Sequence, residues 1–384
     1  MKLIKIKSNH SIVLIMLAWW ILLLFMNYLN VGTYGRVSDE TYMFYISMII
    51  SFLIGYSPSF LYKIRNKYFI FKNDSKKIIF SFYYLMNLIL ILLILNSQLL
   101  NIGFENYFIG VRALHEFSLL GISTLQDNLI KLIIVPCLIF FILIFSYIKD
   151  YIKYNFIILV VPVILYSLFF QTNFMISYLF GLLGLYMIEN KINYKIIFFL
   201  ITILVLSAMN RGRGLEILEV LHRYFIDYFT LGFNIFDYLL KNESSFMNDT
   251  TYGMSTLLPL DHLLSRLFSQ STPIWFENSN MLNDPFPLTD NIMHQPNAFG
   301  TIGFTLYKDF NYLGSILGGL LFGFIMFLLN FTSSISGKFL SVYLVLFSLL
   351  SMMVSPFMQL WFWMGLIYLT ILLIFERRFF ERYN

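Results

Sequence analysis

Residues 312–331, YLGSILGGLLFGFIMFLLNF, form an unbroken apolar stretch as long as one helix that crosses a bilayer. Four glycines in it, Gly314, Gly318, Gly319 and Gly323, make two offset G-x-x-x-G pairs. Small residues at this spacing let helix backbones approach closely in a membrane. We therefore predict a membrane helix here that packs tightly against neighbouring helices.

Similar apolar stretches recur on both sides of this one. The chain has 384 residues, of which 59% are hydrophobic and 12% charged, and its mean hydropathy is +0.74. This composition excludes a soluble domain and predicts an all-α, polytopic integral membrane protein. We predict about ten transmembrane helices (range 10–12), at about 11–29, 42–61, 78–96, 129–148, 154–170, 173–189, 194–209, 312–331, 338–354 and 357–375. Very short turns join 154–170 to 173–189 and 338–354 to 357–375, so we expect two tight helical hairpins.

The charges predict the orientation of these helices. With the N-terminus in the cytoplasm, 17 of the 26 Lys and Arg fall in cytoplasmic segments, and 16 of the 21 acids fall outside. This bias follows the positive-inside rule. We therefore expect a multi-pass membrane protein with both termini in the cytoplasm.

Two of the outside segments are longer than a connection between helices requires. Residues 1–209 would hold transmembrane helices 1–7, with an outside loop at 97–128. Residues 210–311 would form one large, partly helical periplasmic loop, and 312–384 would hold helices 8–10 and a cytoplasmic tail. Long loops in compact proteins usually carry function, so we place the candidate site in 210–311.

The apolar segments and the loops lack several kinds of functional group. The centres of the predicted helices hold no charged residue, which argues against an ion-driven pump. Cys137 is the only cysteine, and the histidines have no metal-ligand spacing. No nucleotide-binding motif is present. We expect no metal, no cofactor and no nucleic-acid partner.

The large loop opens with Arg211-Gly212-Arg213-Gly214, directly after a predicted helix. An Arg guanidinium matches a phosphate group, and glycine lets the backbone approach a ligand closely. At this depth the phosphate would belong to a lipid head group or to a lipid-linked pyrophosphate. Interfacial snorkelling of the two arginines is the alternative.

Residues 215–240 have apolar and charged residues at helical spacing, which predicts an amphipathic helix. Arg223 belongs to its charged face. Tyr224 and Tyr228 lie one turn apart, and tyrosine rings suit both an interface and the stacking of sugars. A helix lying on the membrane surface explains the same pattern.

The rest of the loop is polar. Residues 241–293, with Gly253, Asp261 and Arg266, suit an exposed lid or a sugar-binding surface. His294 and Asn297 follow and could bracket a polar substrate, with His294 as a general base or simply as a solvated side chain. Asp309 could act as a second base. Alternatively, it is a charge favoured at the N-terminus of the next helix.

This plan resembles the bacterial O-antigen and capsule repeat-unit polymerases of the Wzy type. The resemblance rests on ten or more helices and one large late periplasmic loop that begins with Arg in an R-x-R context. It also rests on the Tyr224-x-x-x-Tyr228-x-x-x-Gly232 run, a segment centred on Gly253, and Asn297-Ala298-Phe299. The closing signature is matched by Tyr307, Asp309, Phe310 and Gly314. Asn311 is a departure, because the family usually has Gly there.

The resemblance implies a metal-independent, GT-C-like glycosyltransferase that joins undecaprenyl-pyrophosphate-linked repeat units at the periplasmic face. Its partners would be this lipid-linked oligosaccharide as donor and acceptor, membrane lipids and a chain-length regulator protein. Arg211 and Arg213 would hold the pyrophosphate, and His294 or Asp309 would deprotonate the acceptor. Substrate contacts would come from Arg223, Tyr224, Tyr228, Arg266, Asn297 and Tyr307.

Three rival functions remain open on the sequence. An O-antigen ligase uses the same donor but transfers the glycan to the lipid A core. A transporter of lipid-linked oligosaccharides would place charges around a central cavity, and the predicted helix centres hold none. An integral-membrane acyltransferase would place Arg and His within its early helices.

Overall fold

A computed structural model provides the fold. It describes residues 4–5, 10–61, 68–71, 81, 85, 88–89, 92, 216, 218–219, 222–257, 261, 274–283, 286–289, 292–294, 301–331, 334–352, 355–358, 360–376 and 380–383. This part of the chain is mainly helical, as the composition predicts, and its strands are few and short.

Five of the ten predicted membrane segments fall in the described residues, and all five are helical. They are α1 (His10–Tyr28), α2 (Asp39–Tyr56, extended by the short α3, Pro58–Leu61), α8 (Tyr312–Phe331), α9 (Ile335–Leu350) and α10 (Leu360–Ile374). The helix α8 has the bounds that the apolar stretch predicts. The five segments between 78 and 209 lie outside the described residues, apart from isolated helical positions at 81–92.

Length and hydropathy identify two of these helices as able to span a bilayer. They are Asp39–Leu61 and Tyr312–Phe331, while α1, α9 and α10 contain shorter apolar stretches. A chain with these helices is compatible with a membrane protein.

Between α3 and α8 lie the shorter elements that belong to the predicted loop. A π-helical turn, His222–Asp227, leads into α4 (Tyr228–Asn242), followed by α5 (Ser244–Asn248) and α6 (Ile274–Asn283). Strands β3 (Phe286–Thr289) and β4 (Ile292–His294) form an antiparallel hairpin, and α7 (Ile302–Phe310) precedes α8. We call the described residues from 216 to 310 the loop layer.

Three helices begin at a hydroxyl N-cap, which explains where they start. Ser38 accepts a hydrogen bond from the Thr41 N–H at the start of α2, and Thr301 accepts one from the Phe304 N–H at the start of α7. Ser334 does the same for Gly337 at the start of α9. Each side chain satisfies a donor that the first helical turn leaves unpaired.

The pair α2 and α8 forms the closest helix packing among the described elements, and glycines make it possible. A Cβ atom on Gly319 would meet the Met48 carbonyl oxygen, and one on Gly323 would meet the Phe52 carbonyl oxygen. The other glycine pair, Gly314 and Gly318, instead faces Leu306 of α7. The predicted close packing is confirmed, and the two G-x-x-x-G pairs serve two different partners.

The two helices of the hairpin predicted at the C-terminal end contact each other, but their connection is longer than the very short turn predicted, because the first ends at Leu350 and the second begins at Leu360. The helices α9 and α10 are joined through a 3₁₀ turn at Pro356–Met358. The Tyr343 hydroxyl donates to the Phe362 carbonyl oxygen at 3.0 Å, and the two rings stack at 5.9 Å. These contacts hold the two helices side by side.

A small sheet that the sequence did not predict joins three distant segments. Strands β1 (Ile4–Lys5), β2 (Tyr68–Phe71) and β5 (Phe380–Tyr383) lie in the order β1-β2-β5, and both pairs are antiparallel. They come from the N-terminus, the basic 62–77 loop and the C-terminal tail. The charge pattern places these same three segments on one side of the membrane.

Candidate functional site

The loop layer rests on an aromatic cluster that joins it to α2. Phe44 and Tyr45 come from α2, Phe233 and Phe236 from α4, and Tyr307 from α7. The Tyr45 and Phe233 rings lie 4.9 Å apart edge to face, and the Tyr307 ring lies 5.8 Å from both Phe44 and Phe236. All five side chains are buried. Offset and edge-to-face contacts of this kind add to the stabilisation that burial alone gives.

The helix α4 therefore docks on other helices, which differs from a helix that only lies on a membrane surface. Its apolar residues Phe229, Leu231, Ile235 and Leu239 are buried in addition to the cluster. Contacts with α1 and α2 account for this burial. Residues 218 and 219 are already helical, and residues 222–227 form a π-helical turn within the predicted helix.

The polar face of α4 binds the connection between α1 and α2. Asp227 accepts hydrogen bonds from the Thr33 N–H and hydroxyl at 2.8 and 2.7 Å. The Asn234 side-chain amide donates to the Tyr34 and Gly35 carbonyl oxygens, both at 3.0 Å. A loop whose backbone groups are paired in this way is fixed to the helix.

Asp237 completes the same face and fixes the start of α2. Its carboxylate accepts from the Ser38 N–H at 3.0 Å, from the Ser38 hydroxyl, and from the Thr41 hydroxyl at 2.8 Å. Lys241 donates to it at 2.6 Å. Burial opposes the charged form, but the hydrogen bonds from Lys241, Ser38 and Thr41 outweigh it and lower the pKa of Asp237.

Asp309 binds the turn at residues 251–256, which we call the Asp309 turn. The buried carboxylate accepts from the Thr251 hydroxyl at 2.6 Å and from the Ser255 and Thr256 N–H groups, each at 2.9 Å. The Thr256 hydroxyl is a fourth donor. Four donors occupy this carboxylate, so in this conformation it anchors the turn to α7.

The position of Asp309 in its helix differs from one of the two expectations. It does not start the next helix, where the dipole would favour its charge. It is the penultimate residue of α7, near the C-terminal end, where the dipole disfavours a negative charge. The difference arises because residues 302–310 form a short helix of their own. The four hydrogen-bond donors offset the unfavourable interaction of the carboxylate with the helix dipole.

Lys308, the neighbour of Asp309, is a buried cation. Its ammonium group donates to the Phe246 and Asp249 carbonyl oxygens at 2.5 and 2.8 Å and lies 4.0 Å from the centre of the Phe246 ring. Burial lowers the pKa of Lys308, although the charges of Asp249, Glu277 and Asp309 counteract it. The side chain thereby ties the α5 region to α7.

Asn311 makes the sharp turn between α7 and α8. Its backbone has φ +50° and ψ −138°, and its N–H donates to the Tyr307 carbonyl oxygen at 2.6 Å. This is the position at which the chain departs from the Gly of the family signature. Glycine adopts positive φ without a steric cost, and asparagine is among the residues that tolerate it best.

The Asp309 turn carries a second unusual backbone. Tyr252 has φ +49° and Gly253 has φ +96°. The Tyr252 N–H donates to the Asp309 carbonyl oxygen at 3.2 Å, while the side chain of Tyr252 is 77% exposed. A bulky residue at positive φ is a steric outlier, and outliers of this kind concentrate at functional positions.

Two of the predicted site residues, Asp309 and Tyr307, have described side chains. The Tyr307 ring is 5% exposed, and its hydroxyl donates to the Asn248 side-chain oxygen at 3.3 Å. Burial, and after it the charge of Glu40, raises the pKa of Tyr307. The buried ring therefore packs within the loop layer and joins α7 to Asn248 of α5.

Four other predicted site residues lie in described backbone elements. Arg223 and Tyr224 lie in the π-helical turn, and Tyr228 begins α4. His294 ends β4, where it pairs with Phe286 of β3. The strand β3 lies against α4, so the hairpin that carries His294 belongs to the same assembly.

Arg211, Arg213, Arg266 and Asn297 lie outside the described residues. The predicted pyrophosphate contacts and two of the predicted substrate contacts therefore stay predictions.

Sequence reasoning missed the residues that build the Asp309 turn. Thr251, Tyr252, Ser255 and Thr256 belong to the stretch TTYGMST, whose polarity favours an exposed lid. The clustered hydroxyls on both sides of Gly253 were a usable signal, because such groups favour turns. Asp261, in the same predicted lid, is also buried and accepts from the Ile274 N–H at 3.2 Å.

No family model matches this chain, and no curated protein or solved structure shows significant similarity to it.

Proposed function

We propose that this protein is an integral-membrane polymerase of lipid-linked oligosaccharide repeat units. It acts on undecaprenyl-pyrophosphate-linked units at the periplasmic face of a bacterial inner membrane. The growing glycan is transferred from its own lipid pyrophosphate to the non-reducing end of a new lipid-linked unit. No metal and no cofactor take part.

The observation that carries the proposal is a contact between two stretches of the chain that resemble the polymerase family and are far apart in sequence. The Gly253 segment and the closing signature meet at Asp309, which accepts four hydrogen bonds from residues 251–256. The hairpin that ends at His294 lies against α4, the helix that begins at Tyr228. Motif segments that fold into one layer are expected of a shared site.

The membrane topology of the proposal has its own support. The sheet β1-β2-β5 joins the N-terminus, the basic 62–77 loop and the C-terminal tail, all of which the charge pattern assigns to the cytoplasm. At the other end of α1 and α2, the connection 29–38 binds α4 of the loop layer. Both groupings agree with a loop layer on the periplasmic side.

The proposed chemistry is a single displacement at the anomeric carbon of the donor. The acceptor hydroxyl oxygen forms the new glycosidic bond as the bond to the pyrophosphate oxygen breaks. His294 takes the hydroxyl proton, and undecaprenyl pyrophosphate leaves with the bonding electrons. Arg211 and Arg213 stabilise the charge that grows on the departing pyrophosphate, and each contact is worth about 2–4 kcal/mol in the transition state.

A surface-polysaccharide gel tests the proposal. The gene is deleted in the source bacterium and restored as the wild type or as Arg211→Ala, Arg213→Ala or His294→Ala, with membrane levels matched by immunoblotting. We expect the deletion to leave core plus a single repeat unit, the wild type to restore the ladder, and each variant to reduce it strongly.

Other patterns on the same gel support the rivals. Long glycan that stays on its lipid carrier, with none on the core, identifies a ligase. An unchanged ladder in the deletion strain refutes both polymerase and ligase. A normal ladder from one of the variants refutes the role of that residue alone.

A further inference from the structure

Tyr252 occupies a backbone conformation that its side chain disfavours, and the fold gains no packing in return. Its φ is +49°. Its side chain is 77% exposed, and within the described residues it makes no hydrogen bond or ring contact. Asparagine or glycine would fit this backbone better. The tyrosine is therefore not explained by the stability of the turn.

The turn around Tyr252 is held from both sides, so the exposed ring stands on a fixed base. The Thr251 N–H donates to the Lys308 carbonyl oxygen at 2.9 Å, and the Tyr252 N–H donates to the Asp309 carbonyl oxygen at 3.2 Å. The Asp309 carboxylate also accepts hydrogen bonds from the Ser255 and Thr256 N–H groups. A residue with a strained backbone conformation persists only where the surrounding contacts hold it in that conformation.

The support of the turn connects Tyr252 to the rest of the loop layer. Asp309 belongs to α7, and Tyr307 of the same helix packs on Phe236 of α4. The hairpin that carries His294 also lies against α4. The exposed ring and the proposed catalytic histidine therefore rest on one packed unit.

The Tyr252 ring suits a carbohydrate ligand. A tyrosine offers a flat apolar face and a polar hydroxyl, which match the C–H face and the hydroxyls of a sugar ring. The Thr251 and Thr256 hydroxyls donate to Asp309 and Ser255 is buried, so the exposed Tyr252 side chain is the part of the turn that a ligand can reach. The fixed backbone of the turn limits the positions that the ring can reach, which lowers the entropic cost of binding a ligand.

We propose that Tyr252 is a glycan-binding residue on which a sugar of the lipid-linked substrate stacks. This inference rests on the proposed polymerase function and adds a substrate contact to it. Asp309 is, for this contact, a positioning residue that holds the turn.

Four variants in the full-length protein test the proposal. Tyr252→Phe keeps the ring, and Tyr252→Leu keeps apolar bulk and the backbone cost without an aromatic face. Tyr252→Asn removes the ring and relieves the backbone. Leu257→Ala is the matched control, because Leu257 is an exposed apolar residue that directly follows the Asp309 turn.

Polymerisation is measured on lipid-linked repeat units extracted from the deletion strain, and the melting temperature of each variant is measured in detergent. We expect the Tyr252→Phe variant to stay within about threefold of the wild type and the Leu and Asn variants to raise KM about tenfold. The Asn variant should melt at or above the wild-type temperature, so that substrate binding and stability move in opposite directions.

Several results would overturn this assignment. If the Leu variant has a normal KM, apolar bulk suffices and the ring is a lipid-surface anchor. If Leu257→Ala raises KM equally, the effect is not specific to Tyr252. If the Asn variant melts lower in proportion to its loss of activity, the ring is structural. Wild-type protein that makes no polymer refutes the proposed function itself, and this inference with it.

Discussion

The α2–α8 pair and the Asp309 turn are both held by close approach of backbone, but different groups meet in the two places. In the helix pair, Gly319 and Gly323 bring α8 against the α2 backbone. In the turn, a carboxylate receives two backbone N–H groups and two hydroxyls. Helices in a membrane have satisfied backbones and gain from close packing, whereas a turn must find acceptors for its donors.

This difference predicts which substitutions each of the two regions tolerates. The helix pair should be sensitive to added volume and insensitive to charge-neutral polar changes at its edges. The loop layer should be sensitive to the loss of single carboxylates. The four predictions that follow test this contrast.

Asp309→Ala should have the largest effect. It leaves one buried N–H group, one part-buried N–H group and two hydroxyls without their acceptor, and we expect a loss of about 3–5 kcal/mol in the free energy of unfolding. The measurement is the melting temperature in detergent, together with the yield of protein in the membrane.

The same variant separates the two roles of Asp309 considered from the sequence. An anchoring carboxylate predicts that stability and activity fall together. A purely catalytic base predicts normal melting and lost polymer, and that outcome would refute the anchoring role. Asp249→Ala is the control: it removes a neighbouring carboxylate that acts on Lys308 through its charge, and it keeps the backbone carbonyl oxygen to which Lys308 donates.

Gly323→Ala should cost about 2 kcal/mol, because the new methyl group meets the Phe52 carbonyl oxygen and the Tyr56 nitrogen. Gly318→Ala is the matched change in the same helix. Its methyl group meets the end of the Leu306 side chain at 2.6 Å, and that side chain can move. Melting temperatures of the two variants should differ clearly, and equal values would contradict the separate roles of the two glycine pairs.

Asp237→Asn should cost about 1–2 kcal/mol near neutral pH, since it weakens the hydrogen bonds that fix the start of α2. The lowered pKa of Asp237 means that folding favours its charged form. The stabilisation is therefore present above the ordinary pKa of 3.8 and is lost as pH falls through the folded value. Melting temperatures of the two proteins should converge as the pH is lowered below 3.8. A gap that stays constant would show that the charge of Asp237 is not the cause.

The long apolar helices could be predicted from the sequence more fully than the loop layer. The twenty-residue helix α8 was predicted with its bounds, because a long apolar run leaves one solution in a bilayer. The nine-residue helix α7 was missed, since so short a segment gives little periodic signal. Asp309 was consequently placed at the wrong end of a helix. Its contacts with residues 251–256 span more than fifty positions, and no local pattern records them.

Asn311→Gly should have the smallest effect, and it should stabilise the protein. The residue lies at φ +50° and ψ −138°, a region that costs an L-residue about 1 kcal/mol or more. Its side-chain oxygen is also buried without a hydrogen-bond partner in the described structure. Glycine removes both penalties but loses more conformational entropy on folding, so the net gain should be below about 1 kcal/mol.

The sign of this small effect is informative, because Asn311 lies where the glycine-based and carboxylate-based regions meet. A rise in melting temperature with unchanged activity means that the turn needs only positive φ, which the glycine of the family signature would supply equally well. A fall would mean that the Asn311 side chain makes a contact of its own, and the departure from glycine would then be a feature of this protein's site. Asn311→Ala is the control: it keeps the backbone cost, so it should melt below Asn311→Gly in either case.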